Sequence, residues 1–113
     1  MKINSYSFGK IKIDGRIYES DVIISANAVP TIWERSDSHH LQIEDVEKII
    51  AVKPARVIIG TGFLGLMKVD PEIKALLLKN HIKLHVEKTK RAVKIYNSYN
   101  EKENVVAALH ITC

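Results

Sequence analysis

Polar and apolar residues alternate near the start of the chain, where Lys10-Ile11-Lys12-Ile13 and Arg16-Ile17-Tyr18-Glu19 flank Asp14-Gly15. Strict alternation is the period of a half-buried strand, and Asp-Gly between two such runs is the strongest short hairpin signal, so an antiparallel hairpin is predicted. Asp21 to Ser25 reads as a further apolar strand. From Ala26 to His40 no period persists, and this segment is predicted to be a loop of functional length.

Beyond His40 the period changes to that of a helix. Ile43, Val46, Ile49 and Ile50 share one helical face that Pro54 closes, and Arg56 to Ile59 follows as a strand. Asp70-Pro71-Glu72 supplies the N-cap, first-turn proline and first-turn acid of a second helix over Ile73, Leu76 and Leu77, with Asn80 placed for a left-handed end position. Ile82, Leu84 and Val86 then alternate with His81, Lys83, His85 and Glu87, a strand with one polar face that belongs at or near a sheet edge. Thr89 is expected to cap a third helix through Ala92, Val93, Ile95 and Tyr96, and Val105 to Leu109 is apolar throughout, like a central strand covered on both faces. This βαβ alternation predicts an α/β fold with a mainly parallel central sheet whose strands end on one side. The organisation expected over 1–113 is one domain: hairpin and strands (1–25), long loop (26–40) and βαβ units (41–113).

Composition narrows the class. A chain of 113 residues, 46% hydrophobic and 27% charged, has the material for one modest core and reads as soluble and globular. Its apolar runs are too short to span a bilayer, and Met1-Lys2-Ile3-Asn4-Ser5-Tyr6 has neither an apolar signal core nor an Arg-rich transit pattern, so the expectation is a cytoplasmic protein off the membrane. One cysteine, Cys113, forms no internal disulfide. The formal charge of +4 permits polyanion binding, but acids are interspersed with the cations, and the one dense basic run, Lys88-Thr89-Lys90-Arg91, is by default a solvated helix face. Nucleic acid is therefore not the expected partner.

Three segments would converge at the carboxyl edge of a parallel sheet: Gly60-Thr61-Gly62, Glu87-Lys88-Thr89, and His110 with Thr112 and Cys113. Ligands of α/β folds bind there. Lys90 and Arg91 lie in the first turn of the third helix, where the macrodipole disfavours cations, as though an anion were being recruited. The candidate ligand residues are Gly60, Thr61, Gly62, Lys88, Thr89, Arg91 and His110; the alternative is that Lys90 and Arg91 simply face water.

A dinucleotide reading of Gly60, Gly62 and Gly65 fails, because Pro71 holds Asp70 out of the helical region and delays the helix well past the glycines. No metal is expected. His81 and His85 would be about 13 Å apart at ~3.3 Å per residue, and His39-His40 beside Asp37 read as solvated loop histidines. His110 and Cys113 fall on opposite strand faces, and no catalytic residue or cofactor is assigned. In the long loop, Trp33 and Arg35 are candidates for a stacking and anion-binding lid, with His40 a further loop candidate, against the reading in which Trp33 plugs the core and Arg35 caps a carboxylate.

The motifs Ile58-Ile59-Gly60-Thr61-Gly62 before Pro71-Glu72, Thr89-x-x-Ala92-x-x-x-Tyr96-Asn97 and Ala107-Ala108-Leu109-His110-Ile111-Thr112-Cys113, with Trp33-x-Arg35 and then His40, span most of the chain. Together they resemble the small domain shared by the adipogenesis-associated domain protein, a mitochondrial respiratory complex I assembly factor, and many archaeal and bacterial proteins. The resemblance implies a three-layer α/β fold with an added β-hairpin layer, and brings no catalytic residues with it. Asn80 stands where relatives commonly have glycine, and Glu101-Lys102-Glu103-Asn104 replaces their basic turn. Two functional readings follow: a domain that binds a protein partner, and a site for a small anionic metabolite at the glycine-loop edge.

Overall fold

Asp14 and Gly15 both adopt positive φ, as a two-residue hairpin turn requires, and join strands β2 (Lys10–Ile13) and β3 (Arg16–Tyr18). A computed structural model describes residues 1–25, 29–34 and 40–113. The remaining elements are strands β1 (Ile3–Ser7), β4 (Val22–Ile24), β5 (Thr31–Ile32), β6 (Arg56–Thr61), β7 (Lys83–Glu87) and β8 (Val105–His110), and helices α1 (Ile43–Ala51), α2 (Pro71–Lys79) and α3 (Thr89–Tyr99). β1, β2 and β3 form one antiparallel sheet, and the larger sheet has the order β5-β4-β8-β6-β7. Its βαβ strands β6, β7 and β8 are parallel, and β4 and β5 continue it antiparallel.

Two apolar cores lie on the two faces of the larger sheet. Val57, Ile59, Val106 and Ala108 pack with Val46 and Ile49 of α1 and Ile73 and Leu77 of α2. The alternate residues Ile58, Val105, Ala107 and Leu109 pack with Ala92, Val93 and Tyr96 of α3 and with Ile3, Ile11 and Ile13 of the hairpin sheet. The outcome is a three-layer α/β fold in which the hairpin sheet shares a layer with α3. Because both faces are covered, β6 and β8 are buried at every position, which accounts for their unbroken apolar runs. Among the described residues, no helix is long and apolar enough to cross a membrane.

Several local expectations are corrected. β1 escapes a pattern reading because its polar residues Asn4, Ser5 and Ser7 break the alternation; it is held by pairing to β2. β5 lies inside the expected loop of 26–40 and is likewise held by its partner, β4. Ile43 is exposed, so the buried face of α1 rests on Val46 and Ile49. Asn80 is not left-handed: φ is −88° there and +59° at His81. The helix ends one residue later, with His81 N–H donating to the Leu78 carbonyl and Ile82 N–H to Leu77, which is a Schellman ending closed by an apolar residue.

At the amino end of the parallel strands, buried Arg56 joins β7 to the end of α3. Its Nε lies 2.7 Å from Glu103 Oε1, its Nη1 lies 2.6 Å from His85 Nε2, and its guanidinium stacks 3.8 Å above the Tyr99 ring. Arginine can only donate, so Nε2 accepts and His85 is neutral with its proton on Nδ1. Burial, then the Arg56 charge, hold the His85 pKa below its ordinary 6.5, opposed by Glu87 and Glu103. The unfolded chain therefore takes up this proton at higher pH than the folded one, and the stabilising contribution is present above 6.5 and lost as pH falls below it. Urea titrations between about pH 7.5 and 5.5 should show wild type losing stability more steeply than His85→Gln, whose amide oxygen accepts from Arg56 without titrating. Parallel slopes would remove His85 from the account.

Candidate functional site

The carboxyl ends of β6, β7 and β8 do meet, and Thr89 is the centre of the meeting. Its hydroxyl accepts the Gly62 N–H at 2.9 Å and donates to the His110 carbonyl at 2.5 Å, and its own N–H donates to the Gly62 carbonyl at 3.1 Å. Thr61 adds a hydroxyl bond to the Glu87 carbonyl at 3.1 Å. Both glycines are required by close approach. A Cβ on Gly60 would lie 2.7 Å from Thr89 Oγ1, and one on Gly62, where φ is +110°, only 2.3 Å from the Cys113 carbonyl carbon.

Two of the groups expected to receive an anion, the Gly62 amide and the Thr89 hydroxyl, are engaged inside the fold, and Thr89 is fully buried. Thr89 is also not the helix cap: its side chain turns inward to the strand ends, and the cap position falls to Lys88, whose ammonium has no acceptor for a capping bond. Arg91 points into solvent and lies 3.7 Å from Glu87 one turn back, an exposed pair of small energetic weight.

His110 is buried at the end of β8, with Nδ1 2.8 Å from Asp21 Oδ2, while the other Asp21 oxygen accepts the Ile111 N–H at 2.8 Å. Asp21 was not legible as a functional residue, since no local pattern marks it and the side-chain bonds it makes to His110 and Ile111 reach 89 and 90 positions along the chain. Tyr6 lies alongside, donating to the Ile111 carbonyl at 3.0 Å; burial pushes its hydroxyl up to about 12, so it stays a donor.

Of the loop candidates, Trp33 is buried among Leu41, Val46, Ile49 and Met67, which is the core-plug reading. His40 forms a parallel bridge with Lys68 and borders a cavity of about 520 Å³ with Leu41, Asp70, Glu72 and Ile73. Arg35, with Asp37 and His39, lies outside the described residues. Among the described residues no three His, Cys, Asp or Glu side chains gather closely enough to hold a metal ion.

The outer surface of this edge is apolar, a feature the sequence reading missed. Leu64 is 59% exposed, Phe8 57%, Leu66 50% and Phe63 46%. Phe63 meets Phe8 edge to face at 5.8 Å and Tyr6 at 6.4 Å, so the glycine loop and the β1–β2 turn form one surface. The backbone beneath is pinned. Gly9 N–H donates to the Ile111 carbonyl, Phe63 N–H to that of Thr112, and Leu64 and Leu66 N–H to that of Cys113. The available signal was Phe63-Leu64-Gly65-Leu66 itself, an apolar run in a loop that would ordinarily be polar.

The family described as "Protein of unknown function (DUF498/DUF598)" matches residues 3–110. Among solved structures, a conserved hypothetical protein of Pyrococcus horikoshii OT3 is 28% identical with a TM-score of 0.82, and the match covers 100% of each chain. The structure named MT938 is 24% identical with a TM-score of 0.80, over 99% of this chain and 98% of the other. A Bordetella pertussis protein described as an Mth938-like domain is 16% identical with a TM-score of 0.72, over 97% and 85% of the two chains. The last two likenesses are of fold alone.

Proposed function

The chain belongs to the family of proteins of unknown function DUF498/DUF598, and from that premise we propose that it is a protein-binding module whose contact surface is the apolar edge formed by Phe8, Phe63, Leu64 and Leu66. The observation that carries this reading is that surface. Four large apolar side chains stand half-exposed on two adjoining turns whose backbones are hydrogen-bonded to one segment, 111–113. Contiguous apolar surface of this kind marks an interaction site, and covering the exposed half of each side chain would contribute on the order of 1 kcal/mol. A preorganised loop also lowers the entropic cost of docking. The resemblance to a respiratory-complex assembly factor supports the same class of role. A small-anion site at this edge draws no such support, because its expected donors, the Gly62 amide and Thr89 hydroxyl, already have partners inside the fold.

A photo-crosslinking amino acid placed at Leu64, with Glu47 on the far helix α1 as control, tests the proposal in the host cell. A discrete adduct is expected from position 64 and not from 47, and it should disappear when Phe8→Asp and Phe63→Asp are introduced. Equal yields from both positions, or an adduct indifferent to the aspartates, would overturn it.

A further inference from the structure

Charge is distributed unevenly around the apolar edge. The segments that build it and border it, residues 6–10, 61–68, 87–91 and 110–113, contain five cations (Lys10, Lys68, Lys88, Lys90 and Arg91) and one acid, Glu87. The remainder of the chain has twelve cations against twelve acidic side chains, so the whole excess of positive side chains is gathered here. Lys88 lies against the loop itself: its Cγ is 3.1 Å from where a side chain on Gly65 would begin, between exposed Leu64 and Leu66. Glu87, its acidic neighbour in sequence, pairs with Arg91 at 3.7 Å. The first turn of α3 adds the positive end of its dipole and no acid.

Resting on the partner-binding reading above, we infer that the partner is a protein segment with an apolar centre flanked by aspartate or glutamate. Complementary charge at the rim of an apolar contact selects partners and speeds encounter. A second copy of this chain is disfavoured, because a two-fold contact through this surface would oppose one cationic rim to another. The relief of the surface, and not its charge, separates a protein partner from a lipid surface. Each apolar side chain keeps about half its area against neighbours on a hydrogen-bonded backbone, which makes a low, fixed relief suited to a complementary surface, whereas residues that enter a bilayer must project from it.

Selection of a displayed random peptide library on the immobilised protein tests this, with Phe63→Asp and the double variant Lys68→Glu with Lys88→Glu as counter-targets, each checked for native circular dichroism. Enriched sequences should carry apolar residues beside Asp or Glu, should fail to bind Phe63→Asp, and should bind the double charge variant on the order of tenfold more weakly. Apolar sequences with neutral or basic flanks, held equally by the charge variant, would overturn this inference and leave the apolar contact surface standing. Enrichment indifferent to Phe63→Asp, or none, would remove the contact surface as well. Co-sedimentation with phosphatidylserine-containing vesicles is the remaining arm: Phe63-dependent binding there, without acidic peptides in the selection, would overturn the inference in favour of a lipid surface.

Discussion

Gly62→Ala is expected to remove a large share of the stability of this fold. At φ +110° an alanine is strained, and its methyl group would sit 2.3 Å from the Cys113 carbonyl carbon and 2.8 Å from the Thr112 oxygen. Positive φ costs roughly 1–2 kcal/mol for an ordinary residue, and forcing backbone apart in a packed region about 1–3 more. Relief requires moving segment 111–113, and with it the bonds from Phe63, Leu64 and Leu66 that hold the apolar edge. The combined loss, on the order of 2–5 kcal/mol, is a large share of the total available to a domain. Gly15→Ala is the matched control, because Gly15 has φ +81° and nothing within 4 Å of an added methyl. It should cost only about 1 kcal/mol, the strain alone. Urea midpoints decide the matter: equal losses at the two glycines would mean that close approach at Gly62 contributes nothing.

Thr89→Val should come second. Valine preserves shape but leaves the Gly62 N–H and the His110 carbonyl without the hydroxyl that serves both, at a fully buried position. An unsatisfied buried backbone group costs about 1–3 kcal/mol, so a loss of roughly 2–5 kcal/mol is expected. Thr89→Ser keeps the hydroxyl and removes one methyl group, a loss of about 1 kcal/mol. If serine proves as damaging as valine in chemical denaturation, packing of the methyl and not the hydrogen-bond relay holds the strand ends together.

The legibility of these features follows from their range. The Asp14-Gly15 turn, the Asp70-Pro71 helix start and the apolar β6 and β8 strands could be read from neighbouring residues, because turn geometry, capping and burial on two faces act within a few positions. β1 and β5 could not be read this way, since both exist through pairing with another strand and neither carries a pattern of its own. The site divided along the same line. That Gly60, Thr61, Gly62, Thr89 and His110 meet follows from parallel strands with right-handed crossovers. What their groups do there does not follow.

The sequence by itself determined the α/β class, the parallel strands and which segments share an edge, because period, propensity and chirality are local and apply to every chain. Only the tertiary structure decided that the Thr89 hydroxyl turns inward to Gly62 and His110, that Asp21 holds His110, and that Phe8 and Phe63 meet as an exposed surface. The physical reason is directional. A hydroxyl or a ring keeps its chemistry wherever it points, and the direction is set by atoms far away in sequence, here a backbone that closes over Gly62 from 51 positions downstream at Cys113.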